Sequence, residues 1–134
     1  MRSRLPFRSN TRKKRAYRFG IIAEYVAAFY LMTKGYRIIA LRYRNPCGEV
    51  DILAGRRDML VAVEVKARKN FAACVDSITW QKQKRIEQAM QWLMQNPAKM
   101  TGLAPSVTPN IRFDVLWVVP YALPKHIKDA WRLS

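Results

Sequence analysis

Apolar and polar residues alternate along the chain in a way that divides it into helical and strand-like segments. From Phe19 to Lys34 the residues are good helix formers; Gly35 is placed to cap the helix in a left-handed conformation and Lys34 puts a positive charge in the last turn. "YRIIALRY", Tyr36 to Tyr43, is aromatic and β-branched as a strand requires, and Asn45-Pro46 breaks it. Glu49 to Ala54 and Met59 to Ala67 predict two strands of a hairpin around "GRRD". Ile78 to Met94 repeats at helical spacing, with Ile78, Lys82, Ile86, Ala89 and Leu93 near one face, and stops before Asn96-Pro97. Gly102, Pro105 and Pro109 predict a surface loop over 98–110, and "IRFDVLWVV" predicts a fourth strand. Pro124 then opens a short helix predicted over Lys125 to Leu133.

The order is therefore αβββαβ with a C-terminal helix. Valine-rich middle strands need cover on both sides, so the fold class is α/β, a mixed sheet flanked by helices. At 134 residues, half of them hydrophobic, the chain suits one domain whose core needs no disulfide or metal staple. The opening "MRSRLPFRSNTRKKRAYR" has eight basic side chains, no acid and no apolar period, which predicts a basic flexible arm over 1–18 ahead of a domain over 19–134. Such an arm either aids solubility or binds phosphates, and its composition is also that of a mitochondrial transit segment.

Charge narrows the partners. Lysine and arginine number 25 against 9 acids, a net +16 that opposes compaction by self-repulsion and calls for a polyanion. Nucleic acid is the leading candidate; a ribosome-associated or membrane-surface protein without catalysis uses the same charge. Cys47 and Cys74 form no CxxC and accompany a single histidine, which excludes the usual Cys/His zinc site and suits reduced thiols in a cytoplasmic protein. No signal-peptide core is visible, and the most apolar run, Ile21 to Met32, is shorter than the ~20 residues that span a bilayer.

Within so basic a chain, Glu49, Asp51 and Glu64 fall together on the two hairpin strands. A turn centred on Arg56-Arg57 pairs Asp51 with Ala62 and Glu49 with Glu64. Period-two alternation then places Glu49, Asp51, Glu64 and Lys66 on one face and Val50, Ile52, Val61, Val63 and Val65 on the other. Carboxylates this close repel, at a cost on the order of several kcal/mol on a half-buried sheet unless a cation sits among them. Oxygen ligands without histidine point to Mg²⁺ or Mn²⁺. Glu24 has Gly20, Ile21, Ala27, Ala28 and Leu31 as its helical neighbours, so it faces inward and needs a partner. Taken alone, "EVK" also fits an ordinary strand with an exposed ion pair.

Arg42, Arg44, Arg68 and Lys69 flank this region and can grip phosphates without reading sequence. Tyr43 and Trp80 either stack on unpaired bases or pack in the core. Arg112 and Asp114 predict a structural ion pair, and His126 a packing or hydrogen-bonding role in the last helix.

Asp51 followed by Glu64-Val65-Lys66 on the next strand resembles the PD-(D/E)xK nuclease superfamily, whose motif is an acid and then (D/E)xK on successive strands of an αβββαβ core. The surrounding text is similar to one branch, the YraN family of predicted endonucleases, related in fold to archaeal Holliday junction resolvases. The matching pieces are "AEYVAAFYLMTKGYRII", "GEVDILA", "LVAVEVKARKN", "SITWQKQKRI", "RFDVLWV" and "HIKDAW", all within Gly20 to Trp131. "CGEVD" departs from the superfamily's proline-aspartate pair.

The resemblance implies a restriction-endonuclease-like fold and metal-dependent hydrolysis of DNA phosphodiesters, with branched or junction DNA as one substrate. It implies that Asp51, Glu64 and the Val65 carbonyl hold one or two Mg²⁺ (or Mn²⁺) ions. Lys66 positions the attacking water, and Glu24 completes the shell around the metal. Glu49 either orients a ligand or pairs with a basic side chain. Lys82 matches the family's lysine after the motif, while as a residue alone it equally fits a solvated face beside Lys84 and Arg85. Two cuts on a junction need two sites, which suits a homodimer, though the sequence names no interface. The alternative is a catalytically inactive nucleic-acid-binding module on the same fold.

Overall fold

The computed structural model describes residues 6–74, 78–96 and 109–133. Helix α1 (Pro6–Thr33) is followed by strands β1 (Arg37–Asn45), β2 (Gly48–Arg56) and β3 (Met59–Ala67). A 3-10 turn (Phe71–Cys74), helix α2 (Trp80–Gln95), and strands β4 (Asn110–Val118) and β5 (Lys125–Trp131) complete the order. The strands form one sheet in the order β1-β2-β3-β4-β5, antiparallel except for the β3–β4 pair, which is parallel. This is the expected mixed sheet flanked by helices, compatible with a restriction-endonuclease-like core. Among the described residues no helix is long and apolar enough to cross a membrane.

Helix α1 begins well before Phe19. Pro6 stands at its first position, where a fixed φ costs nothing, and the helix-forming Arg, Lys and Ala residues carry the backbone through 6–18 in spite of their like charges. Those residues of the expected flexible arm are helical, and 1–5 lie outside the described residues. At the other end Gly35 (φ +91) closes the helix, with the Gly35 N–H bonded to Met32 O and the Tyr36 N–H to Leu31 O. The predicted loop over 98–110 lies, except for its last two residues, outside the described residues.

The sheet separates two apolar layers. On one side Ala23, Ala27 and Leu31 of α1 pack on Ile52, Val61 and Val63. On the other, Ile86, Met90 and Leu93 of α2 pack on Leu53, Leu60 and Phe113. Strand β3 is covered on both faces, as the apolar stretch from Met59 to Val63 requires. Helix α2 starts two residues later than its pattern suggests because Thr79 is its N-cap, accepting the Lys82 N–H at 3.2 Å. It meets the sheet closely at Gly48, where an added Cβ would stand 2.1 Å from the Arg85 carbonyl oxygen.

The C-terminal helix expected over Lys125 to Leu133 is absent; Lys125–Trp131 is strand β5, antiparallel to β4. Tertiary demands overrule the local helical signal here. Without β5 the apolar strand β4 would be a bare edge. Asp114 on β4 is also fully buried and needs donors that only an extended segment brings. His126 Nε2 reaches Asp114 Oδ2 at 2.7 Å, and the Asp129 N–H reaches Oδ1 at 2.9 Å, helped by a bulge in β5 that leaves Asp129 at φ +54. Arg112 adds a bidentate pair, Nε to Oδ1 at 2.8 Å and Nη2 to Oδ2 at 2.7 Å. Lys34 donates to His126 Nδ1 at 2.7 Å, so Nε2 carries the proton given to Asp114. The expected Arg112–Asp114 ion pair and the hydrogen-bonding role of His126 are therefore both present.

Gly48→Ala forces α2 off the sheet and should lower stability by about 2–3 kcal/mol in chemical denaturation. Asp114→Ala strands Arg112 and should cost roughly 3–5 kcal/mol. Burial pushes the Asp114 carboxyl up, but its hydrogen bonds to His126, Arg112 and the Asp129 N–H together hold it below the ordinary carboxylate value. Its contribution is therefore present above that value and lost as pH falls, so the acid-side decline in melting temperature should flatten in Asp114→Ala.

Candidate active site

The hairpin joining β2 and β3 has an even, two-residue turn, Arg57-Asp58, one position later than the sequence suggests. The Asp58 carbonyl accepts the Asn110 N–H at 3.0 Å and its carboxylate accepts Asn110 Nδ2 at 3.2 Å, so the start of β4 holds the turn in place. Arg57 takes φ +57 to make the bend. The register moves by two, from Arg56↔Met59 through Ile52↔Val63. Asp51 thus comes level with Glu64, and not with Ala62; Glu49 no longer pairs with Glu64. Because the shift is even, Glu64 and Lys66 keep the face that alternation gives them.

At Asp51 the main-chain ladder stops. The carboxylate Oδ2 accepts the Val65 N–H at 2.9 Å, standing where a backbone carbonyl would otherwise be. The neighbouring β1–β2 ribbon turns over at the same level, with Arg42 at φ +52. Leu41 and its partner Ile52 lie in the α1 layer, while Tyr43 and its partner Val50 lie in the α2 layer. Val50 consequently leaves the face it was expected to share with Ile52, Val61, Val63 and Val65. Tyr43 packs in the core layer, and Trp80 is exposed.

The two strands part around a carboxyl pair. Glu64 is buried and its Oε2 has no hydrogen-bond partner; Lys82 Nζ stands 3.6 Å away, within ion-pair range but beyond a hydrogen bond. Burial, then the hydrogen bond and charge of Asp51, push the Glu64 carboxyl up to about 9, against the smaller opposing pull of Lys82. Such a pair holds either a shared proton or a cation. The Asp51 and Glu64 carboxylates and the Val65 carbonyl are the oxygen groups here that could hold a hard divalent ion.

The side chains expected at the site divide between adjoining clefts. Glu64, Val65, Lys66, Arg68 and Lys82 line one of about 280 Å³ between β3 and the start of α2. Asp51, Glu49, Glu24, Arg42 and Arg44 line another of about 280 Å³ between α1 and the β1–β2 ribbon. Glu24 does face inward, yet its partner is Arg42, Nε to Oε1 at 2.7 Å. Glu49 pairs with Arg44 at 3.1 Å and Arg85 at 3.8 Å, the second of its two expected roles. Among the described residues no three acidic, histidine or cysteine side chains converge as a metal cage. Lys69 is exposed on the bend after β3 and lines neither cleft. Arg85, which the sequence places on a solvated face, is instead a partner of Glu49; its position one helical turn after Lys82 was the available signal.

Residues 23–118, which include Glu24, Asp51, Glu64, Lys66 and Lys82, match the uncharacterised protein family UPF0102. A UPF0102 protein of Rhizobium etli (strain CIAT 652) is 44% identical over 119 residues, covering 89% of this chain and 93% of its own length. Another, from Rhodopseudomonas palustris (strain BisB18), is 40% identical over 134 residues, covering 99% of this chain and 94% of its own. With most of its length matched in this way, the chain belongs to the uncharacterised protein family UPF0102.

Proposed function

We propose that this chain is a divalent-metal-dependent endonuclease that hydrolyses phosphodiesters of DNA, branched DNA included, in the cytoplasm. The observation that carries the reading is the pairing of buried Glu64 with half-buried Asp51 at the fork of β2 and β3, with Glu64 Oε2 left without a hydrogen bond and Lys66 two residues further along the same strand. The likeness to the YraN branch of the PD-(D/E)xK superfamily supports it, through the same three residues.

Asp51 and Glu64, with the Val65 carbonyl, are the groups that would hold Mg²⁺ or Mn²⁺. When bound, such an ion polarises a phosphoryl oxygen and lowers the pKa of a water. Lys66, lining the cleft with Glu64, orients the attacking water and offsets the charge gathered on phosphorus. Lys82 partly balances Glu64 from the first turn of α2. Arg42, Arg44 and Arg68 border the clefts and grip phosphates on either side of the scissile bond. Asp51 has a second task in accepting the Val65 N–H, which fixes the carboxylate before any ion arrives.

One observation favours a second reading, a binding module without chemistry. Glu24 and Glu49 are paired with arginines, which among the described residues leaves Asp51 and Glu64 as the carboxylates for an ion. Incubation of labelled duplex, single-stranded and four-way-junction DNA with the protein decides between the two. Wild type should cleave at least one substrate only with Mg²⁺ or Mn²⁺, and Lys66→Ala or Glu64→Gln should slow it by at least about 100-fold. Salt-sensitive binding with no cleavage in any divalent ion establishes the binding module, and cleavage that survives both substitutions refutes the site.

Thermal unfolding provides a test that needs no substrate. Glu64 binds its proton at about 9 in the fold against 4.5 ordinarily. Its stabilising contribution is therefore complete below the ordinary value and is lost as pH rises between the two. Glu64→Gln should melt above wild type at about pH 8, by roughly a few kcal/mol of stability, and should show a flatter alkaline decline. Mg²⁺ should raise the wild-type melting temperature there and leave the variant unchanged.

A further inference from the structure

Helix α1 is built inside out for a helix on the surface of a monomer. Toward the sheet it presents mostly small residues, Ala23, Ala27 and Ala28 with Leu31. Away from the sheet it presents large apolar ones: Ile22 is 58% exposed, Tyr25 62%, Val26 40%, Phe29 69% and Met32 56%. Positions 22, 25, 26, 29 and 32 follow the three-and-four spacing of a single helical stripe, so these side chains form one continuous patch. Together they expose roughly 600 Å² of mainly apolar surface, at the upper end of what a monomer carries.

We propose that this stripe is the interface of a homodimer in which two copies of α1 pack antiparallel across a two-fold axis. Two facts select a second copy as the occupant. The first is area: two stripes bury about 1,200 Å², the lower bound of a specific interface, and an isologous contact needs only one self-complementary patch. The second is charge. A chain of net +16 can meet its own copy only where no positive charge is duplicated, and between Arg18 and Lys34 this helix carries a single charged residue, Glu24, which is turned onto Arg42.

Charge also sets the direction. One and two turns before Ile22, the same outward face carries Arg18, Lys14 and Arg15, all exposed. A parallel pair would stack these residues on their own copies. An antiparallel pair carries them past the partner's Met32 and separates them by tens of ångströms, at about 1.5 Å per residue. The cleft residues Gly20 and Glu24 lie on the opposite side of the helix, so pairing leaves both clefts open.

Sedimentation velocity on the full chain tests the interface without reference to nuclease activity. Wild type should sediment at twice the monomer mass at micromolar concentration, and Tyr25→Glu/Phe29→Glu should weaken association at least ~100-fold while keeping the wild-type circular dichroism. Phe29→Gln provides the same reading if the double variant loses helical signal. On a Cys47→Ser background, a short bismaleimide should link Val26→Cys chains and spare Ile22→Cys chains; equal linking at both positions refutes the antiparallel arrangement. A wild type that stays monomeric through the sub-millimolar range overturns the proposal, and if that monomer floats with vesicles containing anionic lipid through Phe29, the stripe is a membrane-surface face. A dimer untouched by the double substitution assembles elsewhere and overturns it equally.

Discussion

The hydrogen bond from the Val65 N–H to Asp51 Oδ2 is the contact on which the centre of this molecule depends. A side-chain oxygen takes the position of a main-chain acceptor, so the ladder between β2 and β3 ends there without leaving a buried N–H unpaired. Where the strands part, Glu64 is trapped beside Asp51, and burial together with the Asp51 charge makes it hold its proton more tightly. The inverted β1–β2 ribbon, the positive φ at Arg42 and the ion pair from Arg42 to Glu24 all lie around that fork. Fold and candidate chemistry are thus joined at one carboxylate, which closes a gap in the sheet and lines the cleft that the gap creates.

Much of this was legible in the residues. The bounds of β3 follow from its valine-rich, β-branched composition, and the cap at Gly35 and the Arg112–Asp114 pair follow from local spacing alone. The hairpin register was off by two because its turn is held by Asn110, which lies far along the chain and which no local pattern reveals. Val50 changed layers because period-two reasoning assumes an unbroken ladder, and the break comes from the acid that the pattern itself had singled out. Glu24 and Glu49 line the same cleft as Asp51, but which arginine each would find depended on strand pairings that spacing does not give.

Strand β5 shows the limit of local signals from another side. Its proline start and mixed composition resemble a short helix, yet a buried carboxylate and a bare apolar edge outweigh helix propensity once β4 is in place. The segment in turn makes a tolerable edge: it is short, bulged, and carries Lys125, Lys128 and Asp129 at exposed positions. The Lys34–His126–Asp114–Arg112–Tyr36 chain of polar contacts ties the C-terminal end of α1 to this last strand, so the exit of α1 and strand β5 are both anchored on β4.

The contact of Gly48 with the Arg85 carbonyl acts as a spacer whose thickness is a single hydrogen atom. Helix α2 is a rigid rod seated on that point, and it carries Lys82 toward Glu64 and Arg85 toward Glu49. Any side chain at position 48 lifts the rod and draws both cations away from both acids together. The charge balance of the two clefts is thereby geared to one uncharged residue, and it can be retuned by a methyl group without altering any ionisable side chain.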